Sequence, residues 1–340
     1  MTMHASAAAR RSQSGIPGRG ARALRGGMTM RACIAARPSQ SGIALVMALW
    51  ITILLTVIAS GFAFSMRSEA LATRNALSMA RARALADGAV ERTAFELMRP
   101  RVANAWTFDG QPHRWVDGDA AIVATAVDEA ARIDLNTAPD ALLKNLLIVV
   151  GGLEEPAAGA LVDAIADWRD PDDLRRPNGA EAPEYRAANL KYVPSNSPFE
   201  TVGEAARVLG MTPAVFRRIA PLLTVYSRQP GVNAATAGRD VLLALPNATP
   251  ELVDAYIAAR EQALANKLPM PPFAPAQAFR SGPVPVWRIR AEATLPDGVT
   301  FVREAVLRPS TDAQRPLIAL AWLEPSRSAP VPSLASSTTR

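Results

Sequence analysis

Six carboxylates crowd one short stretch of the chain: Asp167, Asp170, Asp172, Asp173, Glu181 and Glu184. Asn189 and Asn196 follow them. Carboxylate and amide oxygens are hard ligands of the kind that hold Ca²⁺ on a flexible frame. Asp170, Asp172 and Glu181 stand at relative positions 1, 3 and 12, the spacing of three acidic ligands in an EF-hand loop. The match ends there. Position 5 is Leu174, position 6 is Arg175 where such a loop needs glycine, and no helix is evident after Glu181. The segment is therefore expected to close around Ca²⁺ as a loop of another kind. Asp170, Asp172 and Glu181 lead the ligand set, with Asp173, Glu184 and Asn196 behind them. The same residues also fit a solvated acidic loop, with Asp170 ending a helix and Arg169, Arg175 and Arg176 neutralising the charge.

Other chemistries find little support. The only cysteine is Cys33 and the only histidines are His4 and His113. A zinc site of the usual kind, a disulfide within the body and a thiolate nucleophile are all excluded. A serine triad would depend on His113, which follows a turn-like Gly-Gln-Pro. A carboxylate pair for glycoside hydrolysis would have only Trp168, Tyr185 and Tyr192 as a sugar platform. No catalytic set emerges, so the chain is not expected to be an enzyme.

The elements that position the acidic stretch begin with a membrane segment. Residues 1–42 carry seven arginines and no Lys, Asp or Glu, against a net charge of +6 for all 340 residues; residues 43–340 are left at −1. The basic character belongs to this head, and no nucleic-acid footprint is expected on the body. Ile43 to Phe64 is an uncharged run of 22 residues, spanning roughly 33 Å as a helix, enough to cross a bilayer core. The preceding arginines place the N-terminus in the cytoplasm and the body outside it.

Ser41-Gly42 stands between the basic head and the apolar run, the arrangement of a prepilin signal, and predicts cleavage between Gly42 and Ile43. An uncut signal anchor is the alternative. An ordinary secretory signal fits less well, since its apolar core is shorter and a small-residue site follows it. Most pilins carry Glu at the fifth mature position, and here that position is Met47. Translation from Met28 or Met30 is also expected, because residues 1–27 carry no fold signal.

Residues 65–99 lack proline and are rich in helix formers, which predicts a stalk continuing the membrane helix, with Gly88 a weak point. Short apolar runs between Asp109-Gly110 and Asp117-Gly118 predict strands up to residue 135. From 136 to 268 the pattern turns helical, with helices opening at Pro139-Asp140, Pro156, Thr201, Pro213, Ala237 and Pro250. Residues 269–285 form a Pro-rich linker. VWRIRAEATL and VTFVREAVLR flank Pro296-Asp297-Gly298 as a hairpin, and PLIALAWLEP adds a third strand. The Ser/Pro/Ala-rich tail 326–340 is expected to be disordered. The fold class is thus α+β: a long N-terminal helix plus a small antiparallel sheet, interrupted by a large all-helical insertion whose ends must lie close together. Two insertion segments resemble each other, IDLNTAPDALLKNL at 133–146 and GVNAATAGRDVLLAL at 231–245. They also resemble helix-hairpin-helix modules, so a membrane-anchored DNA-binding or uptake protein is the alternative function.

Several features together resemble the minor pseudopilin K family of the type II secretion system. They are Ser41-Gly42 with no Glu at the fifth mature position, Leu135-Asn136-Thr137-Ala138, and Asp167-Trp168 with Asp170. Asn178-Gly179-Ala180-Glu181, Tyr185, Tyr192, Asn196, Phe199-Glu200, Gly210-Met211-Thr212 and Pro221-Leu222-Leu223-Thr224-Val225 complete the set. Glu204-Ala205 departs from the Glu-Leu expected there, and the leader is unusually long. The resemblance implies a pilin-like fold with a Ca²⁺-binding helical insertion and a single-pass place in the inner membrane with the body in the periplasm. It also implies a position at the pseudopilus tip, with minor pseudopilins I and J, the other pseudopilins and the prepilin peptidase as partners.

Overall fold

The computed structural model describes residues 41–99, 106–282 and 284–325. The expected leader up to residue 40, both alternative start sites and the tail 326–340 lie outside the described residues. Helix α1 runs Ser41–Met98 without interruption at Gly88. Its part up to Arg67 belongs to a first unit and its remainder to a second, which begins at Ser68. In the first unit, every described side chain of the apolar run is exposed. Thr52 Oγ1 donates to Ala48 O and Leu49 O at 2.9 and 2.8 Å, and Thr56 Oγ1 to Thr52 O at 2.7 Å. Both threonine hydroxyls of the run are satisfied within the helix, as a lipid environment demands. Among the described residues, this is the one helix long and apolar enough to cross a membrane.

In the second unit, strands β1 (His113–Asp117), β2 (Ala120–Asp128), β5 (Trp287–Thr294), β6 (Thr300–Pro309) and β7 (Leu317–Leu323) form an antiparallel sheet in the order β1-β2-β5-β6-β7. Ala82, Ala86, Ala89, Val90 and Ala94 of α1 pack on Ile122, Ala124, Ile289, Ala291 and Ala305 of the sheet. Small residues on both sides let helix and sheet approach closely. The β5–β6 turn uses Gly298 at φ 83°, a left-handed conformation that a side chain resists.

The insertion leaves from β2 and returns into β5. Asp128 and Trp287 are partners in the β2–β5 ladder, so residues 129–286 are inserted between two paired residues, wider than the 136–268 expected from the helical pattern. The insertion contains α2 (Asp140–Val149), α3 (Glu155–Arg169), α4 (Ala182–Ala187), α5 (Pro213–Ile219), α6 (Arg239–Leu243) and α7 (Pro250–Ala265), with a short parallel pair of β3 (Ile133–Asp134) and β4 (Leu223–Thr224). The run from Thr201 forms a 3₁₀ helix at Val202–Arg207; the Glu204 carboxylate turns back to accept the Thr201 N–H at 2.8 Å and closes it. The Pro-rich segment after Leu268 buries Phe273 against Tyr256, with ring centroids 4.6 Å apart, and is part of this core.

The two similar segments have the same construction. Asp134 Oδ1 accepts the Asn136 N–H at 2.9 Å, and Asn233 Oδ1 accepts the Ala235 N–H at 3.1 Å. Arg169, at the end of α3, donates to Leu135 O and Ala138 O. Arg260, on α7, donates to Ala234 O and Ala237 O at 3.0 and 2.7 Å. Each unit is thus a turn, a helix and a second helix whose arginine returns to tie the turn. Leu142, Leu143, Leu146 and Leu147 form the buried stripe of α2. Leu146→Ala is expected to cost about 2–5 kcal/mol by leaving a cavity, read as a lower denaturant midpoint with an unchanged slope.

Candidate metal centre

The acidic loop runs from the last turn of α3 to Phe199, and it is held at both ends. Asn136 grips Phe199 through two bonds: its Oδ1 accepts the Phe199 N–H at 2.7 Å and its Nδ2 donates to Phe199 O at 3.0 Å. Trp168 stacks on Phe199 with centroids 6.1 Å apart and tilts against Tyr185 at 5.9 Å. The Tyr185 hydroxyl accepts the Leu209 N–H at 2.9 Å, and burial pushes its pKa up to about 12. An aromatic floor therefore fixes a loop with little apolar content of its own.

On this floor lie oxygens without donors. Asp170 Oδ1, both carboxylate oxygens of Glu181 and Asn196 Oδ1 are buried and accept no hydrogen bond. Glu181 is only 2% exposed. A buried, unpaired carboxylate is costly unless it takes a proton or meets a cation. Burial first, and then the charges of Asp167, Asp170, Asp173 and Asp172, push the Glu181 pKa up to about 7. Burial likewise raises Asp167 and Asp170, and each is raised further by a neighbouring carboxylate.

The expected ligands divide into two groups. Asp170, Glu181 and Asn196 each present a buried side-chain oxygen without a donor, and the Asp170 charge reaches Glu181. Asp173 Oδ1 accepts from Asn196 Nδ2 at 2.9 Å and so orients the amide. Asp172 is exposed, and its Oδ1 accepts the Leu174 N–H at 2.8 Å. Glu184 is engaged elsewhere: its Oε2 accepts the Glu181 N–H at 2.9 Å and its Oε1 lies 3.6 Å from Arg175. It opens α4, the helix that the sequence did not reveal after Glu181. Six residues with proline near the start leave no periodic signal.

Asp167 is the acidic neighbour left out of the expected ligand set. It is fully buried, and its carboxylate accepts the Arg176 N–H at 3.2 Å. Its place one helical turn before Asp170 was the available signal. Gly179 packs against it so closely that a Cβ there would overlap the carboxylate. Among the described residues, no three His, Cys, Asp or Glu side chains close into a metal shell by themselves. Asn196 Oδ1 is a further buried oxygen without a donor, and hard oxygen donors of mixed kind would suit Ca²⁺ rather than a transition metal.

The hairpins, by contrast, have little to offer a phosphate. Gly151, Gly152 and Leu153 spend their N–H groups on Leu146 O, Ile148 O and Leu147 O of α2, and Ala248 spends its own on Leu245 O. Arg218 covers the first hairpin, donating to Gly151 O at 3.1 Å.

A long apolar helix that packs by its later turns on an antiparallel sheet, with a helical domain inserted into that sheet, defines a pilin-like subunit of elaborated type. Residues 122–228 match the family model described as type II secretion system (T2SS), protein K. The type II secretion system protein K of Klebsiella pneumoniae is 30% identical over 226 residues, covering 59% of this chain and 68% of that one. The Pseudomonas aeruginosa protein of the same name is 27% identical over 241 residues, covering 63% and 71%. In fold, the chain is similar to a chain of the GspK-GspI-GspJ complex from enterotoxigenic Escherichia coli, with a TM-score of 0.53 at 17% identity, over 77% of this chain and 99% of that one. The chain belongs to the type II secretion system protein K family.

Proposed function

We propose that this chain is the minor pseudopilin at the tip of a type II secretion pseudopilus, where it initiates or caps assembly for export across the outer membrane. The observation that carries this reading is the helical insertion of residues 129–286 set between paired strands β2 and β5 of a pilin-like fold. Such a mass on one subunit hinders stacking of another above it. Met47 supports the same reading. A carboxylate in lipid is costly unless paired, and a subunit with none above it has no use for one. The helix Ile43–Phe64 anchors the chain in the inner membrane with the body in the periplasm, and prepilin peptidase cuts between Gly42 and Ile43, in the first turn of α1. The work of the chain is structural, not enzymatic.

The partners proposed are minor pseudopilins I and J, in keeping with the complex of the similar E. coli chain, together with the other pseudopilins below. Asp170, Glu181 and Asn196, with Asp167 beside them, are the residues that would hold Ca²⁺. The ion supplies positive charge that the buried carboxylates lack. The protein's part is to gather these oxygens at the end of α3 and the start of α4, on the aromatic floor.

One preparation tests the reading. The chain is co-expressed with the I and J proteins, extracted from membranes and run on gel filtration. Co-elution of the three, with the mature chain beginning at Ile43 by mass, is the expected result. Elution of this chain alone at micromolar concentration counts against the tip role, and a mature end beyond Phe64 against the prepilin signal.

A further inference from the structure

Two strands leave the sheet for the insertion, and two strands alone would be a loose tether. The structure places a buried charge seam at this point. Glu129 is the first residue past β2 and is fully buried. Its N–H donates to Val286 O at 2.8 Å and continues the β2–β5 ladder by one rung. Its carboxylate is gripped from both sides. From the sheet, Arg288 of β5 donates its Nε to Oε1, and the same guanidinium reaches Glu304 of β6. From the insertion, Thr224 of β4 donates its hydroxyl to Oε2, and Arg132, in the segment leading to β3, lies 3.1 Å from Oε1. The ring of Tyr226, just after β4, lies 5.7 Å from the Arg288 guanidinium.

A second clasp sits beside the first. Asp128 Oδ2, at the end of β2, accepts from Asn233 Nδ2 at 2.7 Å and Thr236 Oγ1 at 3.2 Å. The Asn233 N–H donates to Ala130 O at 2.7 Å. Asn233 and Thr236 belong to the opening turn of the second helical hairpin, far along the chain from β2.

Such a seam is an expensive way to gain stability. Burying charges loses hydration that the pairing only partly returns, and apolar residues of the same volume often do as well. What directional bonds to a buried carboxylate supply is one preferred geometry. We propose that Glu129 is a positioning residue that latches the helical insertion to the sheet as one rigid body. The orientation of the insertion is then a built-in property of the subunit. A partner that touches both sheet and insertion meets them in fixed register, and a load on the insertion passes into β2 and β5.

The test uses the full chain in detergent with Cys33→Ser, which removes the only cysteine. Spin labels are placed at cysteines replacing Glu261, exposed on α7, and Glu292, exposed on β5. The pulsed-dipolar distance distribution should be a single narrow peak in the parent. Glu129→Gln removes the charge at nearly constant shape. Thr224→Val removes the hydroxyl from the insertion side and leaves the Glu129–Arg288 pair in place. Both should broaden the distribution at least twofold, with helical content by circular dichroism unchanged. If Glu129→Gln does not fold, Thr224→Val decides alone. A narrow peak at the parent distance in Thr224→Val overturns the proposal, and so does a broad peak in the parent.

Discussion

Chelation is expected to lower the melting temperature of this protein by several degrees at pH 7.5, and Glu181→Ala to abolish the difference between Ca²⁺ and chelator. A ligand that binds only the folded state stabilises it by RT ln(1 + [L]/Kd), about 2.7 kcal/mol at a hundredfold excess over Kd. For a body of this size that corresponds to roughly 5–10 °C. Asp170→Ala should behave like Glu181→Ala, because each removes a buried oxygen that has no other partner. Asp172→Ala should keep most of the difference, because its carboxylate is exposed and bonded to the Leu174 N–H.

The pH dependence provides an internal check. The Glu181 pKa is raised from 4.5 in the unfolded chain to about 7 in the folded one. Between these values the folded state holds the extra proton, so stability without a cation falls as pH rises through this window. Asp167 and Asp170 are shifted the same way and add to the slope. With Ca²⁺ the carboxylates are neutralised by the ion, and the slope between pH 5 and 7 should flatten or reverse. Equal melts with and without Ca²⁺ at pH 7.5, together with the same slope in both, would leave the loop as an acidic surface without a metal.

The acidic loop shows how far residue types and spacing carry. Asp170, Asp172 and Glu181 stand out by their EF-hand-like spacing, yet the buried oxygens without donors belong to Asp170, Glu181 and Asn196, and Asp167 acts on Glu181 by its charge. Spacing along a chain describes a ligand set only when the loop geometry is known, and here proline and glycine between Asp170 and Glu181 give a path of another shape. Asp167 stands in the acidic stretch but outside the expected ligand set, because it lies inside a helix, where an acidic residue usually faces water. The elements were more legible. The helix at Pro250–Ala265 and the hairpin around Gly298 lie where capping residues and alternation put them, because those signals are local. The β3–β4 pair, two residues on each side and far apart in sequence, has no local signal. The extent of the insertion was likewise hidden. Its first seven residues, 129–135, mix apolar and charged residues with no helical period, and only the pairing of Asp128 with Trp287 reveals where the sheet ends.

Asp87→Ala is expected to cost roughly 3 kcal/mol, the largest effect of any single ion-pair substitution on the surface of α1. Arg303 of β6 points at α1 from beneath and is 2% exposed. Its Nε donates to Asp87 Oδ1 at 2.5 Å, and its guanidinium lies 5.1 Å from the Phe301 ring and 5.5 Å from the Trp322 ring. Removing one partner of a buried pair strands the other charge out of water, at a cost of about 3–5 kcal/mol. The lower end applies here, because Asp87 is one-third exposed and Glu324 remains at 3.4 Å. Asp119→Ala is the control. Its pair with Arg81 joins the same helix to the sheet at 2.5 Å, but both side chains are about half exposed, and such pairs contribute under about 1 kcal/mol. Asp87→Asn retains an acceptor and should fall between the two. Thermal or denaturant melts of the three variants rank them. If Asp87→Ala and Asp119→Ala cost the same, the Arg303 guanidinium reaches water or Glu324 carries its charge, and α1 is held to the sheet by its alanine face rather than by this pair.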